Sequence, residues 1–218
     1  MLTILIIIVT SIVSILTFNN AALQNKLIFY PPEIKRGGWY RFITYGLIHA
    51  DYTHLIFNML TLYFFGVYIE KLFANSFGEM EGRFWYLFLY VSAMIVSIFP
   101  TYRKQRNESG YRSLGASGAV SAIVFAFILV NPMSFMGIMF IPVMLPAFLF
   151  GIIYIAISIG LDKQQTGNIN HSAHITGSIY GMIFIVVLFA LLQNVNVLKY
   201  FIDQIHIASL SDLIHVGF

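Results

Sequence analysis

Apolar runs of about 20 residues recur along this chain, and their repetition constrains the fold more than any other sequence feature. A helix of that length crosses the about 30 Å of hydrocarbon in a bilayer. Only 10% of the 218 residues are charged, whereas a soluble domain carries about 25%. The chain therefore lacks the polar surface of a soluble protein, and the sequence predicts an all-α, polytopic membrane helical bundle.

Six transmembrane helices are predicted, at residues 2–19, 53–72, 84–102, 117–130, 133–159 and 172–193. The first run has no basic region before it and no clear small-residue cleavage site after it. We therefore interpret it as a retained span rather than a signal peptide. The spans predict one transmembrane domain over residues 1–193, with the lipid bilayer as its surroundings.

Two segments outside the spans carry patterns of their own. Residues 20–50 hold aromatic clusters broken by prolines and glycines, and aromatic rings favour the membrane interface. We expect a folded element in the interface there; an ordinary extracellular loop is the alternative. In the tail, residues 194–218, apolar positions recur at helical spacing, which favours a short interfacial helix.

The fourth span is too short for an ordinary bilayer. It runs for 14 residues from Ser117 to Val130, after which Asn131 and Pro132 should end the helix. Such a helix is about 21 Å long, about 10 Å less than the hydrocarbon core. If its far end reaches the opposite interface, Ser117 lies below the membrane surface. Irregular backbone at that depth must be buried by protein or line a wet cavity, so the sequence predicts a cavity with Ser117 at its floor.

Polar residues cluster at the starts of the second, fourth and sixth spans. The clusters are His49, His54 and Asn58, then Gly115, Ala116, Ser117 and Gly118, then His171 and His174. Even-numbered spans all run in the same direction, so their N-terminal ends lie on one side of the membrane. The three clusters are therefore predicted to meet.

Each cluster suits one part of an acyl-transfer reaction. Ser117 needs a neighbouring base to act as a nucleophile, and His174 is the histidine that opens a parallel span. Gly177 and Gly181 follow it with the spacing that lets two helices approach closely. His54 and Asn58 are i, i+4 neighbours on one helix face. Both can donate hydrogen bonds to an oxyanion, as can the backbone N–H of Ser117.

Other interpretations of these residues stay open from the pattern alone. A serine flanked by glycines is also typical of helix packing, and histidines at span ends such as His49 and His171 also serve as interfacial anchors. A zinc peptidase motif is absent, no aspartate lies inside a span, and no cysteine exists anywhere in the chain. The sequence therefore predicts no metal and no cofactor, and nothing in it indicates nucleic acid as a partner. No pattern specifies an oligomeric state.

Taken together, the clusters resemble the rhomboid family of intramembrane serine proteases, over about residues 39–181. The matching motifs are W-R with an intervening tyrosine at Trp39–Arg41, H-x-x-x-N at His54–Asn58, G-x-S-G at Gly115–Gly118, and A-H-x-x-G-x-x-x-G at Ala173–Gly181.

The resemblance implies a role for each matching residue. Ser117 would be the nucleophile and His174 its general base, and the oxyanion hole would consist of His54, Asn58 and the Ser117 N–H. Structural support would come from Gly115, Gly118, Gly177, Gly181, Arg41 and His49. Six spans fit the basic prokaryotic form of the family, a multi-pass protein of the cell membrane whose site opens to the extracellular side.

Two features depart from the family pattern. Ser121 stands one turn after the nucleophile, where members often carry an aromatic ring that packs on the catalytic imidazole, so His174 must be held in another way. With the family's orientation, nine of the twelve Lys and Arg residues lie in outer loops, which opposes the positive-inside rule.

The resemblance implies a serine endopeptidase that cleaves transmembrane segments of single-span membrane proteins without a cofactor. Two alternatives are an inactive relative that binds membrane clients and a histidine-lined transporter of small solutes or protons. The intact serine and histidine favour the enzyme over the inactive relative.

Overall fold

The computed structural model describes residues 1–137, 141–164 and 170–216, which are mostly helical. The helices are α1 Leu2–Phe18, α2 Ala21–Leu27, α3 Pro31–Lys35, α4 Arg41–Thr44, α5 Tyr52–Thr61, α6 Val67–Phe77, α7 Glu79–Gln105, α8 Ser117–Val130, α9 Ala147–Gln164, α10 His171–Gln193 and α11 Val197–Asp203. A π-helical segment, Leu62–Gly66, joins α5 to α6, and Tyr45–Leu47 and Leu210–Asp212 are 3-10 turns. Strands β1 Phe135–Gly137, β2 Val143–Pro146 and β3 His215–Val216 form an antiparallel sheet in the order β1-β2-β3.

Three helical stretches among the described residues are long and apolar enough to cross a membrane. They are Tyr52–Phe77, Glu79–Gln105 and His171–Gln193, and they correspond to the predicted second, third and sixth spans. Helices α1 and α8 are apolar but shorter, with 17 and 14 residues. Helix α8 begins and ends at the residues predicted for the fourth span.

Helix α7 extends beyond the predicted span of 84–102 at both ends. Its first turn carries Glu79 and Glu81 and its last turn carries Arg103 and Lys104, so charged side chains complement both ends of the helix dipole. The preceding Gly78 has a φ of 87°, a left-handed conformation that separates α6 from α7 and lets the chain reverse direction.

The fifth span starts later than the sequence predicted. The prediction was a helix over 133–159, but the helix α9 begins at Ala147, and the preceding residues form the hairpin of β1 and β2. Proline lacks a backbone N–H, so Pro142 and Pro146 each remove a helical hydrogen bond and disfavour a helix over this stretch. Residues 138–140 of that prediction lie outside the described residues.

Helix α8 is the centre of the bundle. Of its 14 residues, 12 are buried, and its main neighbours are α10 and α7. The residues on α8 are small or apolar all round, which is typical of a helix enclosed by others. Helix α8 also contacts α5, so it lies beside the helices that carry His54, Asn58 and His174.

The tail contains one short helix, as its apolar spacing predicted. Helix α11 has 7 residues, and it is followed by a 3-10 turn and by β3, which pairs with β2. Residues 20–50 are also folded, into α2, α3, α4 and a 3-10 turn. Whether either segment lies in the membrane interface stays a prediction.

Candidate active site

Ser117 and His174 are in direct contact. The Nε2 atom of His174 lies 2.6 Å from the Oγ atom of Ser117. Ser117 is the first residue of α8, and His174 lies in the first turn of α10. Both side chains are half-buried, so the hydroxyl is shielded on one side and accessible on the other. The contact has the geometry that a base needs to accept a proton from a nucleophile.

Two glycines on α10 make this contact possible. A methyl group on Gly177 would overlap the carbonyl oxygen of Gly118, and one on Gly181 would overlap that of Ala122. On the other face of the nucleophile turn, a methyl group on Gly118 would overlap the side chain of Ser97 on α7. At Gly177 and Gly181, α10 therefore meets the backbone of α8 directly, and at Gly118 the backbone of α8 leaves room for the side chain of Ser97.

Polar contacts fix the start of α10. The side-chain oxygen of Asn170 accepts a hydrogen bond from the backbone N–H of Ala173 at 3.0 Å, which caps the helix. The same oxygen accepts from the hydroxyl of Thr101 on α7 at 3.2 Å. The base is thus carried on a helix whose first turn is tied to α7.

His54 lies against the loop that precedes the nucleophile. Gly115 has a φ of 112°, and a Cβ on it would lie 2.7 Å from Cε1 and 2.9 Å from Nε2 of His54. The Nδ1 atom of His54 accepts from the backbone N–H of Ala50 at 3.5 Å, a contact that leaves the ring proton on Nε2. Nε2 is therefore a donor beside the nucleophile turn.

Asn58 and the start of α8 supply further donors. Asn58 is buried, and its side-chain nitrogen donates to the carbonyl oxygen of His54 at 3.0 Å. That nitrogen carries two hydrogens, so this bond engages one of them. The N–H of Ser117 belongs to the first turn of α8 and has no acceptor within the helix. That these donors form an oxyanion hole at Ser117 stays a prediction.

His49 connects three parts of the chain behind the site. The hydroxyl of Ser14 on α1 donates to the carbonyl oxygen of Leu47 at 3.0 Å, so it accepts from Nδ1 of His49 at 2.9 Å. The Nε2 atom of His49 then accepts from the backbone N–H of Ala116 at 3.5 Å. Burial lowers the pKa of His49 to about 3, which is consistent with this neutral tautomer.

The first loop is held in place by Arg41 and by backbone contacts. The guanidinium of Arg41 is buried and donates to the carbonyl oxygens of Asn25 and Ile28 at 2.8 and 2.7 Å. The N–H of Gly115 donates to the carbonyl oxygen of Tyr45 at 2.9 Å. The loop therefore braces the backbone that leads into Ser117.

His171 contacts the base but has no assigned chemistry. Its ring packs edge-on against that of His174, with 5.9 Å between ring centroids.

Among the described residues, no group of three or more His, Asp or Glu side chains is arranged to hold a metal ion.

Two buried or partly buried polar side chains were not identified from the sequence, Tyr154 beside the site and Glu70 away from it at the start of α1. Tyr154 on α9 stacks on the imidazole of His174. Glu70 is buried in α6 and accepts from the N–H groups of Leu2 and Thr3 at 2.6 and 2.8 Å, which caps the start of α1. Glu70 was detectable as an ionisable residue inside an apolar run, whereas nothing in the sequence singles out Tyr154.

Comparison with known proteins identifies the family. The profile of the Rhomboid domain matches residues 36–191, most of the chain. The chain belongs to the rhomboid family. RHOMBOID-like protein 12, mitochondrial, of Arabidopsis thaliana is 32% identical to this rhomboid over 169 residues, which cover 74% of the chain and 50% of that protein. The chain thus spans about half the length of that relative.

Two bacterial relatives are named as proteases. Rhomboid protease GlpG of Haemophilus influenzae is 29% identical over 163 residues, covering 72% of this rhomboid and 74% of GlpG. Rhomboid protease GluP of Bacillus subtilis is 30% identical over 151 residues, covering 68% of this rhomboid and 26% of GluP. Relatives from two bacteria thus carry the word protease in their names.

Proposed function

We propose that this rhomboid is an intramembrane serine endopeptidase with a Ser117–His174 dyad. The observation that carries the proposal is the 2.6 Å contact between Nε2 of His174 and Oγ of Ser117. Its fold would be the six-span bundle, with residues 1–193 as the catalytic domain and residues 194–218 as a tail at the membrane surface.

The reaction follows from the positions of the donors and the base. Ser117 Oγ attacks the peptide carbonyl while His174 Nε2 accepts its proton, and the oxyanion accepts hydrogen bonds from His54 Nε2–H, the Asn58 amide and the Ser117 N–H. His174 then donates the proton to the leaving amine, which gives an acyl-enzyme. Water hydrolyses this ester with His174 again as the base.

The substrate class follows from where the nucleophile lies. We infer that Ser117, at the end of a 14-residue helix, lies below the membrane surface, so a substrate must present an unwound segment there. By analogy with the family, we infer that the substrates are single-span membrane proteins with helix-weakening residues and a small residue at the cut. We place the protein in the cell membrane with the site opening to the extracellular side.

The test is cleavage of a model single-span substrate by the purified protein in liposomes. Wild type is compared with Ser117→Ala and His174→Ala, and with Ser211→Ala and His206→Ala as matched controls in the exposed tail. We expect cleavage by wild type and both controls and none by the two dyad variants. A fluorophosphonate should label Ser117 in wild type but not in the His174→Ala variant.

Other outcomes identify the alternatives. Equal cleavage by all variants would assign the activity to a contaminant. A folded wild type that neither cleaves nor is labelled would favour the client-binding relative or the transporter.

A further inference from the structure

The aromatic ring of Tyr154 packs nearly parallel to the imidazole of His174. The two rings are nearly parallel, with 19° between their planes and 6.4 Å between their centroids. Tyr154 lies on α9 and His174 on α10, so this contact crosses between helices. Stacking of this kind restricts rotation of the imidazole out of its plane.

The hydroxyl end of Tyr154 is held by α8. Its oxygen lies 3.2 Å from the hydroxyl oxygen of Ser121, which is buried one turn after Ser117. The ring of Phe125, one turn further along α8, packs on Tyr154 with 5.7 Å between centroids. The hydroxyl and the ring of Tyr154 therefore both contact the helix that carries the nucleophile.

A close approach of α9 to α8 makes this placement possible. A Cβ on Gly151, one turn before Tyr154, would lie 3.0 Å from Cδ1 of Ile128 and 3.3 Å from Cε1 of Phe125. The small side chain of Ser121 leaves room for the tyrosine ring. A large side chain at position 121 would occupy the same space.

The base has no hydrogen-bonded orienting partner among the described residues. The one side-chain hydrogen bond of its imidazole joins Nε2 to Ser117, and none reaches Nδ1. In a serine–histidine pair the base is commonly oriented by a third group. Here two rings pack against the imidazole, that of His171 edge-on and that of Tyr154 nearly parallel to it, and only the second crosses from another helix.

We propose that Tyr154 is a positioning residue that holds the His174 imidazole with Nε2 toward Ser117. Ser121 fixes the position of the Tyr154 ring relative to α8 through the contact between the two hydroxyl groups. This inference rests on the proposed function, because it assigns the orientation of the proposed base. Tyr154 takes no part in bond making or breaking.

The first test separates the ring from its hydroxyl. Tyr154→Leu removes the stack, and Tyr154→Phe keeps it. Phe148→Leu, on the same helix and without a described aromatic contact to His174, is the matched control. We expect Tyr154→Leu to lower kcat by about 10- to 100-fold with KM unchanged, because a base displaced by about 1 Å transfers protons poorly. Tyr154→Phe should recover most of the loss, and Phe148→Leu should match wild type.

The second test asks whether the hydroxyl acts through Ser121. If it does, the rate of fluorophosphonate labelling of Ser117 should fall slightly and by the same amount in Tyr154→Phe, in Ser121→Ala and in the double variant. All three changes remove the same hydrogen bond. Additive effects would contradict the role of Ser121.

Labelling also keeps the inference distinct from the proposed function. If wild type is neither active nor labelled, the proposed function fails. If wild type is active and Tyr154→Leu has the same kcat, or loses only thermal stability, the positioning role alone is overturned.

Discussion

At the scale of single residues, His49 gives the folded state a specific pH dependence. Burial lowers its pKa from 6.5 to about 3, so in the folded state it stays neutral where the unfolded chain binds a proton. The unfolded state therefore binds more protons between pH 6.5 and 3. Stability rises with pH across that window, and acidification should cost about 1.4 kcal/mol per pH unit from this group.

His49→Asn should flatten that dependence and lower stability at neutral pH. The shorter side chain leaves the Ser14 hydroxyl and the Ala116 N–H without their partner, which costs about 1–3 kcal/mol. The measurement is thermal unfolding in detergent from pH 7.5 to 4, with His206→Asn in the exposed tail as the control. Equal pH slopes for both variants would show that His49 is not the group responsible.

The oxyanion donors make a separate residue-scale prediction. His54→Ala should lower kcat by about 10²- to 10³-fold, because it removes a donor that acts on charge formed in the reaction. KM should stay near the wild-type value. The melting temperature should also change little, because His54 is only half-buried. A rise in KM with unchanged kcat would assign His54 to substrate binding instead.

At the scale of elements, the contact between α8 and α10 depends on the absence of side chains. Gly181→Ala should separate the helices, because its methyl group would overlap the carbonyl oxygen of Ala122. Overpacking of this kind costs about 1–3 kcal/mol. It should also slow fluorophosphonate labelling of Ser117.

Gly160→Ala on α9 is the matched control for that substitution. A Cβ there meets no atom within 4 Å, so the change should leave labelling unaffected and stabilise the helix slightly. If both alanine variants behave alike, close packing at Gly181 does not position the dyad.

The same elements show what the sequence can predict. The starts of the second, fourth and sixth spans were located from polar clusters and apolar length, because these patterns are local. The predicted start of α9 was wrong. Residues of β1 and β2 are as apolar as those of a span, and only the pairing of the two strands distinguishes them from a helix. The contact between Tyr154 and His174 joins residues 20 positions apart on two helices, and one sequence contains no record of how those helices rotate.

At the scale of the whole molecule, charge is distributed unevenly between the two ends of the bundle. The loops on the side of the active site, 20–50 and 103–114, carry Lys26, Lys35, Arg36, Arg41, Arg103, Lys104, Arg106 and Arg112. The opposite end carries Lys71, Arg83 and Lys199. The positive-inside rule and the proposed orientation therefore give opposite expectations for which end faces the cytoplasm.

The absence of cysteine makes the orientation directly measurable. Single substitutions Asn107→Cys, in the loop beside the active site, and Ser209→Cys, in the exposed tail, would each introduce one thiol. With the proposed orientation, a membrane-impermeant maleimide should label the first in intact cells and the second only after permeabilisation. The reverse pattern would show that the site opens to the cytoplasm.

The enclosure of α8 has a consequence for how the protein responds to its lipid environment. Changes in bilayer thickness act on helices that face lipid, which tilt to relieve hydrophobic mismatch. Helix α8 is too short to match any common bilayer, yet 12 of its 14 residues contact protein rather than lipid. The longer surrounding helices therefore tilt when the bilayer thickness changes. The helix that carries Ser117 keeps its position because it contacts these helices and not the lipid.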